Sequence, residues 1–312
     1  MSKKLISILI PTFNESENID ELYQRLIKTT SSLTKYQFEI LVIDNNSSDQ
    51  TLKKLRLIAK KDKAFKVIVN EKNFGHLKSP VYGLTQTHAD ATILMAADLQ
   101  DPPENIPLFI KKWEEGFRAV LAVKKNSEES KLMFFVRDLY YSILNKISET
   151  KTIKNATGAG LFDKMIIDLL RKSEDSEPYF RGWLCEITDS IGTVEFIQPL
   201  RFKGKTKNNI YSLFDLAMLG ITNHSRLPLR FMAIGGFLVS LLSLLTALFY
   251  LIIKLFFWES VDLGTAPILI GVFFFGALQA FFVGILGEYI GSIHSRVRKM
   301  PLVVEKERIN FD

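Results

Sequence analysis

Two long stretches of this chain carry no charged side chain: Phe231 to Ile253, and Leu263 to Gly287. Each exceeds the ~20 apolar residues that a helix needs to cross a bilayer. A helix apolar all round belongs in a large core or in lipid, and soluble cores rarely hold helices this long. The runs therefore set the gross layout: a folded domain over 1–228, a two-helix membrane anchor over 229–292, and a tail over 293–312. The link between the runs is short and carries Lys254, Glu259 and Asp262. Arg226 and Arg230 precede the first run; Arg296, Arg298 and Lys299 follow the second. Basic flanks favour the cytoplasmic side. The expectation is a multi-pass protein of the cell (inner) membrane, with its domain and both termini cytoplasmic. Gly235, Gly236, Gly271, Gly276, Gly284 and Gly287 would allow close helix packing, within one copy or in a homo-oligomer.

The preceding domain has a different rhythm. Leu5–Ile10, Phe38–Ile43, Phe65–Val69, Ala91–Ala97 and Ala119–Val123 are short apolar runs and read as strands. Between them lies helical periodicity, with Ile19, Leu22, Leu26 and Ile27 on one face, then Leu52, Leu55 and Ile58, then a helix over Glu104–Glu115. Such alternation predicts right-handed crossovers and a mainly parallel sheet, the α/β class. Ala159–Phe162 and Val194–Ile197 are further strand candidates.

The first, second and fourth strands end in polar clusters: Pro11-Thr12-Phe13-Asn14-Glu15, Asp44 to Asp49, and Asp98-Leu99-Gln100-Asp101-Pro102-Pro103-Glu104. Ligand crevices of open α/β sheets lie beyond the carboxyl ends of the strands, so three clusters on one edge point to one crevice. In the third cluster, hard oxygen donors suit Mg²⁺ or Mn²⁺, and such a cation suits a phosphorylated substrate. An acidic capping turn before the next helix explains the same residues, and the local sequence leaves both explanations open. The first turn lacks the Gly-x-Gly-x-x-Gly of a dinucleotide site, and Gly204-Lys205-Thr206 is no P-loop, because Pro199 takes the first glycine position.

With 40 basic against 34 acidic residues, the formal charge of +6 fits an anionic membrane, a nucleic acid or a phosphorylated ligand without choosing among them. The basic loop Arg201 to Asn209 gains meaning beside a cation site, since a phosphate group is compensated from more than one side. Lys131 to Ile147 is aromatic-rich and carries Lys131, Arg137 and Lys146; it suits a core-facing helix or one lying in a membrane interface. The lone Cys185 excludes a disulfide framework and a cysteine-based zinc site. Met1 to Lys4 runs straight into the first strand with no small-residue cleavage site, and reads as strand rather than signal peptide.

With these parts in order, the chain resembles the family-2 glycosyltransferases that load a sugar onto a polyisoprenyl phosphate, the group of dolichol-phosphate mannose synthases and bactoprenol glucosyltransferases. The likeness rests on Ile10 to Glu15, Val42 to Asp49, Asn73-Phe74-Gly75, Ala97 to Glu104, Tyr179-Phe180-Arg181-Gly182 and Gly204 to Lys207. It implies a GT-A type, Rossmann-like catalytic domain over 1–228, with membrane-interface helices at 131–149 and 210–226. It further implies transfer of one sugar, from a UDP-hexose or similar nucleotide sugar, to undecaprenyl phosphate with inversion, for modification of a cell-envelope glycan. No nucleic acid partner is implied. By matching positions, Pro11, Thr12, Asn14 and Glu15, with Asp44, Asn46 and Ser48, would hold the nucleotide. Asp98 and Gln100 would bind Mg²⁺ or Mn²⁺. Asp98, Asp101 and Arg201 would carry catalysis, while Arg201, Lys205 and Lys207 close over the diphosphate. Lys124, Lys125, Arg137 and Arg181 would receive the lipid phosphate.

The sequence departs from the family pattern twice. Ala96 stands where the commonest form, Asp-Ala-Asp, has its first acid, and Thr157-Gly158-Ala159-Gly160-Leu161 replaces a Gly-Asp-Phe string. The second loss matters less than it would in a glycosidase, which must activate water; a lipid phosphate is already an anionic nucleophile. Two alternatives follow. A processive polysaccharide synthase would carry Gln-x-x-Arg-Trp, where this chain has Pro178 and Arg181-Gly182. A non-catalytic nucleotide-binding membrane partner would account for the two missing acids.

Overall fold

The computed structural model describes residues 3–126, 153, 155–173, 179–199, 227–256, 265–298 and 300–311. Arg137, Arg201, Lys205 and Lys207, and the segments 131–149 and 210–226, lie outside the described residues.

The first half alternates strictly: β1 (Lys4–Thr12), α1 (Ile19–Ser31), β2 (Tyr36–Asp44), α2 (Thr51–Lys61), β3 (Phe65–Asn70), α3 (Gly75–Thr85) and β4 (Ala91–Leu94). A 3-10 turn at Pro103–Asn105 leads into α4 (Ile106–Glu114). Then come β5 (Ala119–Asn126), β6 (Ala156–Asp163), α5 (Lys164–Lys172), α6 (Phe180–Ile187) and β7 (Ile191–Ile197). Two long helices, α7 (Leu227–Phe256) and α8 (Thr265–Val297), precede a last strand, β8 (Glu305–Ile309).

The eight strands form one sheet in the order β7-β5-β6-β4-β1-β2-β3-β8. Pairing is parallel for β1 with β2 and β4, for β2 with β3, and for β5 with β7. Strand β6 runs antiparallel between β4 and β5, and β8 runs antiparallel to β3. Helices cover both faces, which is why the central strands are apolar throughout rather than alternating. On one face Ile6, Ile8 and Ile10 pack with Ile19, Leu22 and Leu26 of α1 and Phe109, Ile110 and Trp113 of α4. On the other, Leu9, Leu41, Ile43 and Ile68 meet Val81 and Leu84 of α3 and Ile166, Ile167 and Leu170 of α5.

Two findings differ from the sequence expectation. The apolar run Ala91 to Ala97 is strand only as far as Leu94, which pairs with Leu9 and Gly160. Met95 N still donates to Leu9 O at 3.1 Å, after which the chain leaves the sheet for a turn with Leu99 at φ 61°. Its last apolar residues are buried in that turn. The residues read as a tail, in turn, supply β8. Along β8, Lys306 and Arg308 are exposed while Glu305, Glu307 and Ile309 are half-buried, and charged side chains suit an edge strand that must not recruit another chain. Leu302 and Phe311 pack beside the second core cluster, and Val303 is buried. Arg56 of α2 pairs with Glu307, and Tyr82 of α3 donates to Glu305 at 2.9 Å. Asn310, at φ 62°, directs its amide nitrogen at the carbonyl oxygens of Ala59, Asp62 and Phe65, at 2.7, 3.2 and 2.9 Å.

Within α7 and α8, Pro228–Thr246 and Phe274–Ser295 are long and apolar enough to cross a membrane, and almost none of either stretch is buried by protein.

Candidate active site

The site begins with two loops that hold each other. Asn14 and Asn46 adopt left-handed conformations, with φ 56° and 62°, which asparagine tolerates better than most residues. Asn14 N donates to Ser47 Oγ at 2.9 Å, and Ser48 N donates to Asn14 Oδ1 at 2.8 Å. Glu15 N reaches Thr51 Oγ1, and Ser16 N reaches Asp49 Oδ2. Asp44 lies beneath, fully buried, accepting from Ser47 Oγ at 2.5 Å and Ser47 N at 3.1 Å, with Thr12 Oγ1 at 3.4 Å. Burial raises its pKa, and the hydrogen bonds from Ser47 and Thr12 oppose that rise. Asp44 thus shapes the loop. Its neighbour Asn45 faces the ligand space.

Asn45 is the hub of a polar network under α3. Its Nδ2 donates to Asn73 Oδ1 at 2.8 Å, and its Oδ1 accepts from Phe74 N at 2.9 Å and Asn70 Nδ2 at 3.0 Å. Asn70 Nδ2 also reaches Ser79 Oγ at 3.1 Å. The network orients the start of α3, and it carries a cost, because Asn70 Oδ1 is buried without a hydrogen-bond partner.

The turn after β4 forms the opposite wall. Asp98 Oδ1 accepts from Gln100 N at 3.1 Å, and Thr157 of β6 donates to Asp101 Oδ1 at 3.1 Å. Both carboxylates are about nine-tenths buried. Burial, and then the nearby Asp98 charge, push the Asp101 carboxyl up to about 6, against hydrogen bonds from Thr157 and the Ala96 backbone and the charge of Lys124. Among the described residues, no three His, Cys, Asp or Glu side chains gather as a metal-binding group. Two buried carboxylates with a carboxamide beside them nevertheless suit Mg²⁺ or Mn²⁺. Such ions are commonly held by one or two carboxylates, with waters and substrate phosphates completing the shell.

Between these walls lies a cavity of about 550 Å³ at the carboxyl ends of β1, β2 and β4. Pro11, Thr12, Glu15 and Asn45 line it on one side, Ala96 and Asp101 on another, and His76, Thr157, Tyr179 and Arg181 close the rest. Of the residues expected to hold a lipid phosphate, Arg181 lines the cavity and Lys124 acts on Asp101. Lys125, the next residue along β5, instead pairs at 3.6 Å with Glu195 of β7, both side chains exposed. The β5–β7 register shifts between Lys124 and Asn126, and of the two lysines Lys124 is the one whose charge acts on Asp101. Asn45, His76, Thr157 and Tyr179 were not singled out as site residues from sequence. All four lie in or beside stretches that the sequence marks: Asn45 within Asp44 to Asp49, His76 after Asn73-Phe74-Gly75, Thr157 at the head of Thr157 to Leu161, and Tyr179 in Tyr179-Phe180-Arg181-Gly182.

A mainly parallel sheet with β6 and β8 reversed, a ligand cavity at its carboxyl edge and an acidic turn after the fourth strand define a GT-A type domain. Comparison with known proteins gives the same class. Residues 7–169 match the family described as Glycosyl transferase family 2. An uncharacterized glycosyltransferase of Synechocystis is 30% identical over 298 residues, covering 95% of this chain and 93% of the relative. The SfII prophage-derived bactoprenol glucosyl transferase of Shigella flexneri is 31% identical over 303 residues, 97% of each. A solved glucosyl-3-phosphoglycerate synthase of Mycobacterium tuberculosis is 18% identical, covers 70% of this chain and 78% of that one, and superposes with a TM-score of 0.47, too distant to carry an argument. The chain belongs to glycosyl transferase family 2, and it is an enzyme.

Proposed function

We propose that the protein transfers one hexose from a nucleotide diphosphate sugar, UDP-linked in the favoured reading, to a polyisoprenyl phosphate with inversion at the anomeric carbon. The observation that carries this reading is the cavity itself, with Asp101 on one wall, Arg181 on another, and Asp98 and Lys124 close enough to act on the Asp101 carboxyl. The Shigella relative's name, a bactoprenol glucosyl transferase, supports a lipid acceptor of the same kind.

In this reading Pro11, Thr12 and Glu15, with Asn45, bound the nucleoside, and Asp44 keeps their loop in shape. Asp98 and Gln100 would hold Mg²⁺ or Mn²⁺, beside Asp101, the carboxylate of this turn that lines the cavity. When bound, the ion would offset the charge that builds on the departing diphosphate. A phosphate oxygen of the acceptor attacks the anomeric carbon from the face opposite the nucleotide. The bond from that carbon to the diphosphate oxygen breaks, and the electron pair leaves with the diphosphate. No proton need be removed from an acceptor that is already an anion. The alanine and glycine at Ala96 and Gly158 are compatible with such chemistry, because alignment and charge stabilisation do the rest. Lys124 and Arg181 would hold the acceptor, a role supported for Arg181 by its position in the cavity wall.

Helices α7 and α8 would cross the membrane as a hairpin. Support for both ends lying on the domain's side comes from β8, which follows α8 and rejoins the sheet.

The test is transfer in purified membranes supplied with undecaprenyl phosphate and a panel of UDP-sugars, with product read by mass. One sugar per lipid is expected, and a polymer would favour a processive synthase. Asp98→Asn should abolish transfer, and a fully active variant would overturn the metal assignment.

A further inference from the structure

Where α3 and α6 begin, Arg181 shares the cavity wall with His76, a residue that has no part in the transfer step. Each is the second residue of its helix. Both placements are set by the backbone. Gly75 opens α3 at φ 87°, a conformation that glycine adopts readily, and its N–H is held by Asn73 Oδ1 at 2.8 Å. Arg181 is fixed by Nη1 donating at 2.8 Å to the carbonyl of Ala156, beside the Thr157 that grips Asp101. Its guanidinium also lies over the Tyr179 ring, 5.8 Å from the centroid, and Tyr179 is itself buried.

The outcome is two groups able to carry positive charge on one concave surface, near the positive end of an α3 dipole. His76 is exposed and lines the cavity. Burial lowers the His76 pKa, and Arg181 is the charged neighbour that lowers it further. Both effects favour a neutral imidazole, which still offers one N–H, while the guanidinium keeps its charge. A phosphate group accepts hydrogen bonds from a guanidinium and an imidazole together, and the charge-assisted bond to the guanidinium is the stronger of the two.

We propose that His76 and Arg181 form a phosphate seat in the cavity that Asp101 also lines, with His76 donating one hydrogen bond and Arg181 supplying the fixed charge. The seat rests on the reading of this cavity as the transfer site. Its phosphate comes either from the sugar nucleotide or from the acceptor lipid, and the two are separable by binding alone.

Full-length protein in detergent is titrated calorimetrically with UDP and, separately, with a short-chain polyisoprenyl phosphate. The proteins compared are the wild type, His76→Leu, which removes the donor, and His76→Gln, which keeps an N–H of similar reach. His76→Leu should bind one of the two ligands about tenfold more weakly, the loss expected for one charge-assisted hydrogen bond. His76→Gln should recover most of it. Weakened UDP binding assigns the seat to the donor, and weakened lipid phosphate binding assigns it to the acceptor. A folded His76→Leu that binds both ligands as the wild type does would overturn the seat, as would a loss that His76→Gln does not relieve. Should His76→Leu not fold, Arg181→Gln is read by the same criterion. Wild-type binding of both ligands without sugar transfer would refute the proposed function and leave the seat standing. Wild-type binding of neither would refute both.

Discussion

Replacing Asn310 by alanine should loosen the edge of the catalytic sheet by an amount that follows from its contacts. The Asn310 amide reaches three carbonyl oxygens, at 2.7, 2.9 and 3.2 Å, at the end of α2 and the start of β3. At about 1 kcal/mol for each net hydrogen bond, the amide contributes roughly 2–3 kcal/mol. The residue also sits at φ 62°, where alanine costs about 1 kcal/mol and glycine very little. Asn310→Ala should therefore lose about 3–4 kcal/mol and Asn310→Gly about 2–3 kcal/mol. For a domain of this size each kcal/mol moves the unfolding midpoint by roughly 2–4 °C, so the alanine variant should melt about 10 °C early. Thermal unfolding of the full chain in detergent, at one scan rate for all three proteins, measures the shift. Hydrogen exchange over Phe65–Asn70 provides a second readout, sensitive to local release of β8 without global unfolding. If both variants melt within 2 °C of the wild type and the β3 amides stay protected, Asn310 does not clamp the edge.

Gly160→Ala should destabilise by about 3 kcal/mol or more, because its new Cβ would lie 2.1 Å from the Val120 carbonyl oxygen of the neighbouring strand, whereas at Gly83 it would meet side-chain ends, Leu9 Cδ1 at 2.7 Å, Leu9 Cδ2 at 3.0 Å and Ile43 Cγ2 at 3.4 Å, and should cost about 1 kcal/mol; equal melting points for the two would contradict this ranking. Burial and a hydrogen bond to Asp62 push the Tyr23 phenol from 10.0 up to about 12. The folded state thus holds that proton more tightly, and the associated stability is complete below pH 10 and fades as pH climbs toward 12. Tyr23→Phe should accordingly lose less thermal stability across that window than the wild type, and identical pH profiles would refute the point. Transfer activity should fall with a chelator and return with Mg²⁺ or Mn²⁺; undiminished turnover in the chelator would remove Asp98 and Gln100 as metal ligands.

Much of the sheet was legible because its strands are buried on both faces. Continuous apolar runs such as Ile6 to Ile10 and Leu41 to Ile43 have no alternative in a soluble domain, and their polar ends marked the ligand edge. Boundaries were less so. The apolar character of Met95 to Ala97 comes from burial in a turn rather than from pairing, and composition does not separate the two. Strand β8 was hidden for the opposite reason: Glu305, Lys306, Glu307 and Arg308 look like solvated tail, and only pairing with β3 makes them a strand. In the site, Asp98, Asp101 and the Pro11–Glu15 turn stood out as local clusters. Asn45, Thr157 and His76 gain their places from elements far apart in sequence, and no local pattern predicts a long-range contact. The split between Lys124 and Lys125 follows from strand register, which adjacent identical residues do not reveal.

Strand β8 also imposes an order in time. The ribosome delivers β3 early, then the remaining strands, then both apolar helices, and β8 last. Until Ile309 emerges, β3 presents a row of unpaired N–H and C=O groups, and the carbonyls at the end of α2 lack their cap. The edge is therefore sealed only after the apolar hairpin has left the ribosome. A chain that stalls while its helices are being placed would carry a nearly finished domain with one sticky margin, the kind of surface on which chaperones and aggregation compete.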